Sequence, residues 1–317
     1  MRAVRAPEVH AQTDVGAVRP PLVAKSYDSA MKNDSNPGHA WAGVAAVLPS
    51  LVVQNMGAAF AKQLFSAVGP AGMTALRIGI AAVLLIVMRQ AWKKMPQRRH
   101  LRVLLVYGAT LGLMNAAIYQ AFARIPIGVA IAIEVLGPLS VALMGARRLL
   151  DLAWLAAAGL GLWLLLPVGD ASSALDPLGV AFALGAAAAW ALYILFGKRA
   201  AHFPDVDVLA WGMAFAALLT VPFGAGSAGP ALLAPSILAI GLAVAVLSSA
   251  VPYTLEMWAL RRLPISLFGV LAGSSPAVAA LAAYAILGEQ LSTVQWTAIA
   301  AISGAVMGST LTAHRRA

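Results

Sequence analysis

The chain of 317 residues contains no cysteine, which excludes disulfides and thiolate metal sites. Charge is scarce as well: 11% of residues are charged and 61% are hydrophobic, whereas soluble proteins carry about 25% charged residues. That balance excludes an ordinary soluble globular domain. There is no Gly-x-x-x-x-Gly-Lys-Ser/Thr phosphate loop, no His-Glu-x-x-His and no Gly-x-Ser-x-Gly elbow, so neither ATP hydrolysis nor any other enzymatic activity is expected. His10, His39, His100, His202 and His314 fall in tails or loops and are too dispersed for a metal site. No cofactor is expected.

What the chain does have is apolar runs long enough to cross a bilayer, whose core of roughly 30 Å needs about 20 helical residues. Ten are found, at 41–61, 70–88, 103–123, 125–146, 152–168, 177–196, 207–223, 235–260, 263–287 and 294–312. The expected fold is therefore an all-α membrane protein of ten transmembrane helices embedded in the lipid bilayer. Of the 22 Lys and Arg residues, 19 lie on alternate connections. These are the N-terminal tail, then Arg89 to Arg102, Arg147 and Arg148, Lys198 and Arg199, Arg261 and Arg262, and Arg315 and Arg316. Only Lys62 and Arg124 lie on the opposite side, and Arg77 lies inside a span. The positive-inside rule then puts both termini in the cytoplasm. The net charge of +10 is scattered over short loops and forms no single basic face, so no nucleic-acid partner is expected.

Residues 1–40 are polar and Pro-containing, with no apolar h-region after a basic start; they read as a disordered cytoplasmic tail and not as a signal peptide. A chain beginning at Met31 keeps all ten spans, so residues 1–30 are expected to be dispensable or untranslated.

An Arg-x-Pro-Ile segment occurs at Arg124 and again at Arg262, each followed twelve residues beyond its proline by a second proline, Pro138 and Pro276. The offset is 138 residues both times. Five spans per copy is an odd number, so two copies must be inverted with respect to each other, the plan of many secondary transporters. The expected units are 41–168 and 169–317, the second carrying a short cytoplasmic tail. Pro49, Pro138, Pro252 and Pro276 lie within spans and predict kinks. Gly108-x-x-x-Gly112 and Gly304-x-x-x-Gly308 permit close helix contact, within the bundle or between the subunits of a homodimer.

Ionisable residues at membrane depth are functional candidates by default. Arg77 falls roughly 10 Å and Glu134 roughly 15 Å from the outer ends of their spans. By the same count Gln54, Asn55, Asn115 and Ser275 share that layer. Glu134 is either a structural partner of Arg77 or a substrate or proton site; the amides either join helices or read substrate. Glu256, five residues before Arg261, is expected in a structural ion pair, and Glu289 at a helix end. The tryptophans, and tyrosines such as Tyr119 and Tyr193, are expected mostly near span ends at the membrane interface.

The chain resembles the EamA group of the drug/metabolite transporter superfamily, and within it the bacterial inner-membrane threonine and homoserine exporters. The likeness rests on Thr74-Ala75-Leu76-Arg77, Gly112 to Asn115, Pro126-x-Gly128-x-Ala130-x-Ala132-x-Glu134-x-x-Gly137-Pro138, Gly161-x-Trp163, Pro252-Tyr253-x-Leu255-Glu256-Met257, Gly288-Glu289 and Met307 to Thr312. It covers about 44–312. It implies a multi-pass inner-membrane protein that exports small neutral amino acids, such as threonine or homoserine, in exchange for protons, with another metabolite, a nucleoside or a drug as the alternative substrate. Arg77 or Lys62 would meet the substrate carboxylate and Glu134 its ammonium group. One position departs from the pattern: exporters of this type tend to carry Glu immediately before the proline of span nine, where this chain has Ser275.

Overall fold

A computed structural model describes residues 37–144, 149–165, 175–200, 203, 206–252, 255, 271 and 273–314. Among these residues all regular structure is helical. The helices are α1 (Pro37–Gln63), α2 (Phe65–Met88), α3 (Arg98–Phe122), α4 (Ile127–Glu134), α5 (Leu136–Leu143), α6 (Leu149–Leu165), α7 (Pro177–Ala200), α8 (Val208–Ala228), α9 (Pro235–Ala245), α10 (Ser275–Leu287) and α11 (Thr293–His314). Helices α2, α3, α7 and α8 are each long and apolar enough to cross a membrane, and the shorter apolar helices include α6, α9 and α10. Large apolar side chains such as Val83, Leu113, Leu218, Phe223 and Leu281 point outward. An apolar exterior of this kind suits lipid and not water.

The helix ends follow from local chemistry. Gly69 has φ +66° and breaks α2 just before Pro70, whose fixed φ suits the first helical position of the continuous part. Asp207 caps α8 by accepting from the Ala210 N–H at 3.1 Å, and its other oxygen takes the Arg89 Nε–H. Gly288 closes α10 at φ +69°, in the left-handed region that favours glycine.

Helix α2 packs against α8, α6 against α11, α3 against both α7 and α8, and α9 against α1 and α2. Helix α10 lies on α1, and α5 on α7. Small residues make these approaches possible. A Cβ at Gly137 of α5 would lie 2.2 Å from the Ala187 carbonyl oxygen of α7, and one at Gly128 of α4 would lie 2.5 Å from the Ala280 Cβ of α10. The first glycine pair, Gly108 and Gly112, meets Gly212 and Ala216 of α8 inside the bundle; Gly308 meets Trp154, and Gly304 faces open space.

Two expectations are corrected. His39, His100 and His314 fall within α1, α3 and α11, not in tails or loops, and His100, in the first turn of α3, is buried and stacked on Phe203 with ring centroids 4.1 Å apart. Tyr119 is not interfacial but fully enclosed, because its α3 face is covered by Phe65 and Arg77 of α2.

Candidate functional site

The run expected to be one helix over 125–146 is broken at Val135, immediately after Glu134. Pro138 has no N–H to give to the Glu134 carbonyl four residues earlier, and its ring crowds that turn. Glu134 therefore ends a half-helix inside the bundle, 8% exposed.

Arg77, 7% exposed on α2, lies within electrostatic reach of Glu134. Its guanidinium donates from Nε to Ser249 Oγ at 3.1 Å and from Nη2 to the Ser248 carbonyl at 3.2 Å. Both partners belong to a single π-helical turn, Val246–Ala250, which continues α9. Such turns are frequent at functional sites. Pro252 lacks the N–H that would reach back to the Ser248 carbonyl in an α-helix, so that acceptor is turned toward the arginine. The Pro252 carbonyl accepts from Ser50 Oγ at 3.3 Å, which ties α1 to the same turn. The Arg77 guanidinium carbon lies 5.2 Å from the centroid of the Tyr119 ring, within cation–π range.

Asn55 is buried on α1 and donates to the Leu51 carbonyl at 2.7 Å and to Ser275 Oγ at 3.4 Å. Two members of the expected layer, from opposite halves of the chain, thus meet directly. Asn115, also buried, donates to the Leu111 carbonyl at 2.8 Å, one turn before Tyr119 on α3. Gln54 is half-buried beside Asn55. Glu256 lies outside the described residues.

Lys62 does not belong to this layer. Its ammonium group donates to Glu289 Oε1 at 2.6 Å and to the Ile125 carbonyl at 3.4 Å, while Glu289 Oε2 accepts from the Ile127 N–H at 2.9 Å. Ile127 starts α4, and Glu134 lies about 10 Å further along it at 1.5 Å per residue. Glu289 is a helix-end group, as expected, and joins the ends of α1 and α10 to the start of α4. At this same end a cavity of about 670 Å³ opens between α2, α3 and α8, lined by Gly69, Pro70, Gln120, Arg124 and Ser227 among others. Arg77 and Tyr119 follow on the two helices that form its walls. Among the described residues no group of His, Asp and Glu is arranged to hold a metal ion.

Tyr119, Ser248 and Ser249 were not singled out from sequence. A tyrosine near the end of an apolar run looks interfacial, and two serines in an apolar helix carry no signal; Pro252, four residues after Ser248, was the available clue.

A polytopic helical membrane protein whose broken helices surround an enclosed arginine and glutamate is built like a transporter. Residues 177–311 match the EamA-like transporter family. The threonine/homoserine exporter RhtA of Salmonella typhimurium strain LT2 is 46% identical over 275 residues, covering 87% of this chain and 93% of that protein. RhtA of Escherichia coli K12 is 44% identical over the same lengths. A solved crystal structure with 20% identity superposes with a TM-score of 0.59 over 86% of this chain and 99% of that one, a likeness of fold alone. The chain belongs to the EamA-like transporter family. Its class is that of transporters and not of enzymes.

Proposed function

We propose that this protein exports small neutral amino acids of the threonine and homoserine kind across the bacterial inner membrane, in exchange for protons. The observation that carries the reading is that a cation and a carboxylate, Arg77 and Glu134, are both enclosed, the arginine held by the Ser249 hydroxyl and the Ser248 carbonyl. A zwitterion needs a cation for its carboxylate and an anion for its ammonium group. Moving both charges out of water is costly unless each is met. Arg77, oriented by the π turn, receives the carboxylate; Glu134 receives the ammonium group. Amides of the layer, Asn115 and Asn55 with Gln54, read the side-chain hydroxyl. Lys62 holds the rim through Glu289 and is a substrate ligand only if that pair opens. Protonation of Glu134 from outside removes the charge that holds the ammonium group, so inward proton movement drives outward release.

The proposed membrane arrangement is ten spans in two inverted halves, with both termini in the cytoplasm. The helix pairings support it. Exchanging α1 with α7, α2 with α8, α3 with α9, α5 with α10 and α6 with α11 turns the α3–α7 pairing into α9–α1. The same exchange turns α3–α8 into α9–α2 and α5–α7 into α10–α1, while α2–α8 and α6–α11 map onto themselves.

Ser275 supports a second reading, in which another small metabolite, nucleoside or drug is exported. It supplies a hydroxyl bound to Asn55 where related exporters tend to carry a carboxylate.

The test is efflux of labelled threonine and homoserine from preloaded cells expressing the chain, with empty-vector and Glu134→Gln controls and with a protonophore. Efflux faster than the vector control and abolished by both treatments is expected. Vector-level efflux with the protein in the membrane would turn the search to the second group of substrates.

A further inference from the structure

Tyr119 presents a feature that the proposed function leaves unused. Its side chain is completely buried, and its hydroxyl has no hydrogen-bond partner among the described residues. Leaving a buried hydroxyl unpaired costs stability, because the group gives up its bonds to water and gains none in return. A phenylalanine would fill the same space without that cost, so the oxygen calls for an explanation. The ring is fixed from three directions. Phe65 and Phe122 lie 5.7 and 5.5 Å away between centroids, and the Arg77 guanidinium carbon lies 5.2 Å from the ring centroid. A ring held so firmly aims its hydroxyl along one line. Arg77 is itself held by Ser248 and Ser249. A phenol whose ring packs against a fixed guanidinium brings two kinds of donor into one enclosed neighbourhood, and donors of both kinds suit an anionic oxygen group. The pair lies on the two helices, α2 and α3, whose Pro70, Ala71, Gln120 and Ala123 line the open cavity up to about two turns nearer the helix ends.

We infer that Tyr119 is a substrate-binding residue whose hydroxyl donates to the carboxylate of the transported amino acid, sharing that group with Arg77. The inference rests on the amino acid reading above and adds a residue and a chemical selectivity to it. Compounds that keep the ammonium group and lack the carboxylate gain nothing from Tyr119.

Counterflow of labelled L-threonine into proteoliposomes holding the full chain tests this, with unlabelled L-threonine and 1-aminopropan-2-ol, which keeps the ammonium and hydroxyl groups and has no carboxyl group, as competitors. Tyr119→Phe removes one oxygen and keeps the ring contacts. The concentration of threonine giving half-inhibition is expected to rise about tenfold, the weight of one hydrogen bond to a charged group, while that of 1-aminopropan-2-ol stays the same. The melting temperature of Tyr119→Phe is expected to equal or exceed that of the wild type. A lower melting temperature would reveal a protein partner for the hydroxyl and overturn the inference. So would half-inhibition values that stay put, or that rise together for both competitors, in a variant of wild-type stability. Absence of threonine counterflow in the wild type would overturn the amino acid reading together with this inference, whereas wild-type counterflow with an indifferent Tyr119→Phe would overturn this inference alone.

Discussion

The rim and the buried layer of this bundle each hold a cation and a carboxylate, and they are built in opposite ways. At the rim, Lys62 and Glu289 form a direct bond of 2.6 Å with both side chains partly open to the surroundings, and Glu289 also takes a backbone N–H of α4. In the layer, Arg77 is held by an alcohol and a carbonyl of the π turn and leans on an aromatic face, with Glu134 enclosed at the end of a broken helix. A direct, half-exposed pair holds helix ends at modest strength, since such pairs contribute about 1 kcal/mol or less. Enclosed charges oriented by neutral groups are, on the proposed reading, the place where a charged solute is met. The rim fastens; the layer is proposed to receive.

Glu134→Gln tests the layer most severely. It keeps the shape and removes the charge, and the proton-driven export rate is expected to fall by about a hundredfold, equivalent to about 2.7 kcal/mol, with the remainder insensitive to a protonophore. Efflux from preloaded proteoliposomes measures this; wild-type rates that still respond to the proton gradient would eliminate Glu134 as the coupling group. Arg77→Lys keeps the charge but not the planar fork that reaches Ser249 Oγ and the Ser248 carbonyl together. About tenfold weaker substrate affinity is expected, read from the substrate concentration for half-maximal efflux.

Gly137→Ala separates packing from charge. The new Cβ would collide with the Ala187 carbonyl, so overpacking is expected to cost about 1–3 kcal/mol, seen as a lower melting temperature in detergent. Unchanged melting would mean that α5 and α7 separate readily at that crossing. The smallest effect is expected at the rim. Lys62→Gln should change stability by about 1 kcal/mol or less, and the double variant with Glu289→Gln should be no worse than the sum of the two single ones. An effect on efflux as large as that of Glu134→Gln would move the rim pair into the binding machinery.

Much of this contrast was legible before any coordinates. Apolar runs and basic connections located most ends of the described helices to within several residues, because lipid imposes a length and a composition that water does not, but α10 starts at Ser275, twelve residues after the expected start of its run. Counting residues along the spans put Asn55 and Ser275 in one layer, and they share a hydrogen bond. The repeated proline marked the break in the 125–146 run, since a missing N–H acts locally. What escaped was whatever depends on neighbours in space. Lys62 and Glu289 are 227 residues apart, and nothing in either segment names the other. Tyr119 looked like an interfacial ring because sequence position gives its depth along one helix, not the covering of its face by α2. The π turn was hidden for another reason: α9 is apolar on all sides, and without a polar face an extra residue per turn leaves no mark on the pattern.

The acceptor that Ser248 offers to Arg77 is a main-chain carbonyl, and every amino acid carries one. A scan that replaces side chains one at a time would therefore score position 248 only for the hydroxyl and for the tight crossing with Gly57, and would leave the arginine's anchor standing. The heritable instruction for that anchor sits four residues later, in Pro252, which has no N–H to claim the Ser248 carbonyl. A substitution at Pro252 is therefore expected to act through the backbone, and its mark is to be sought in the Ser248 carbonyl of the π turn.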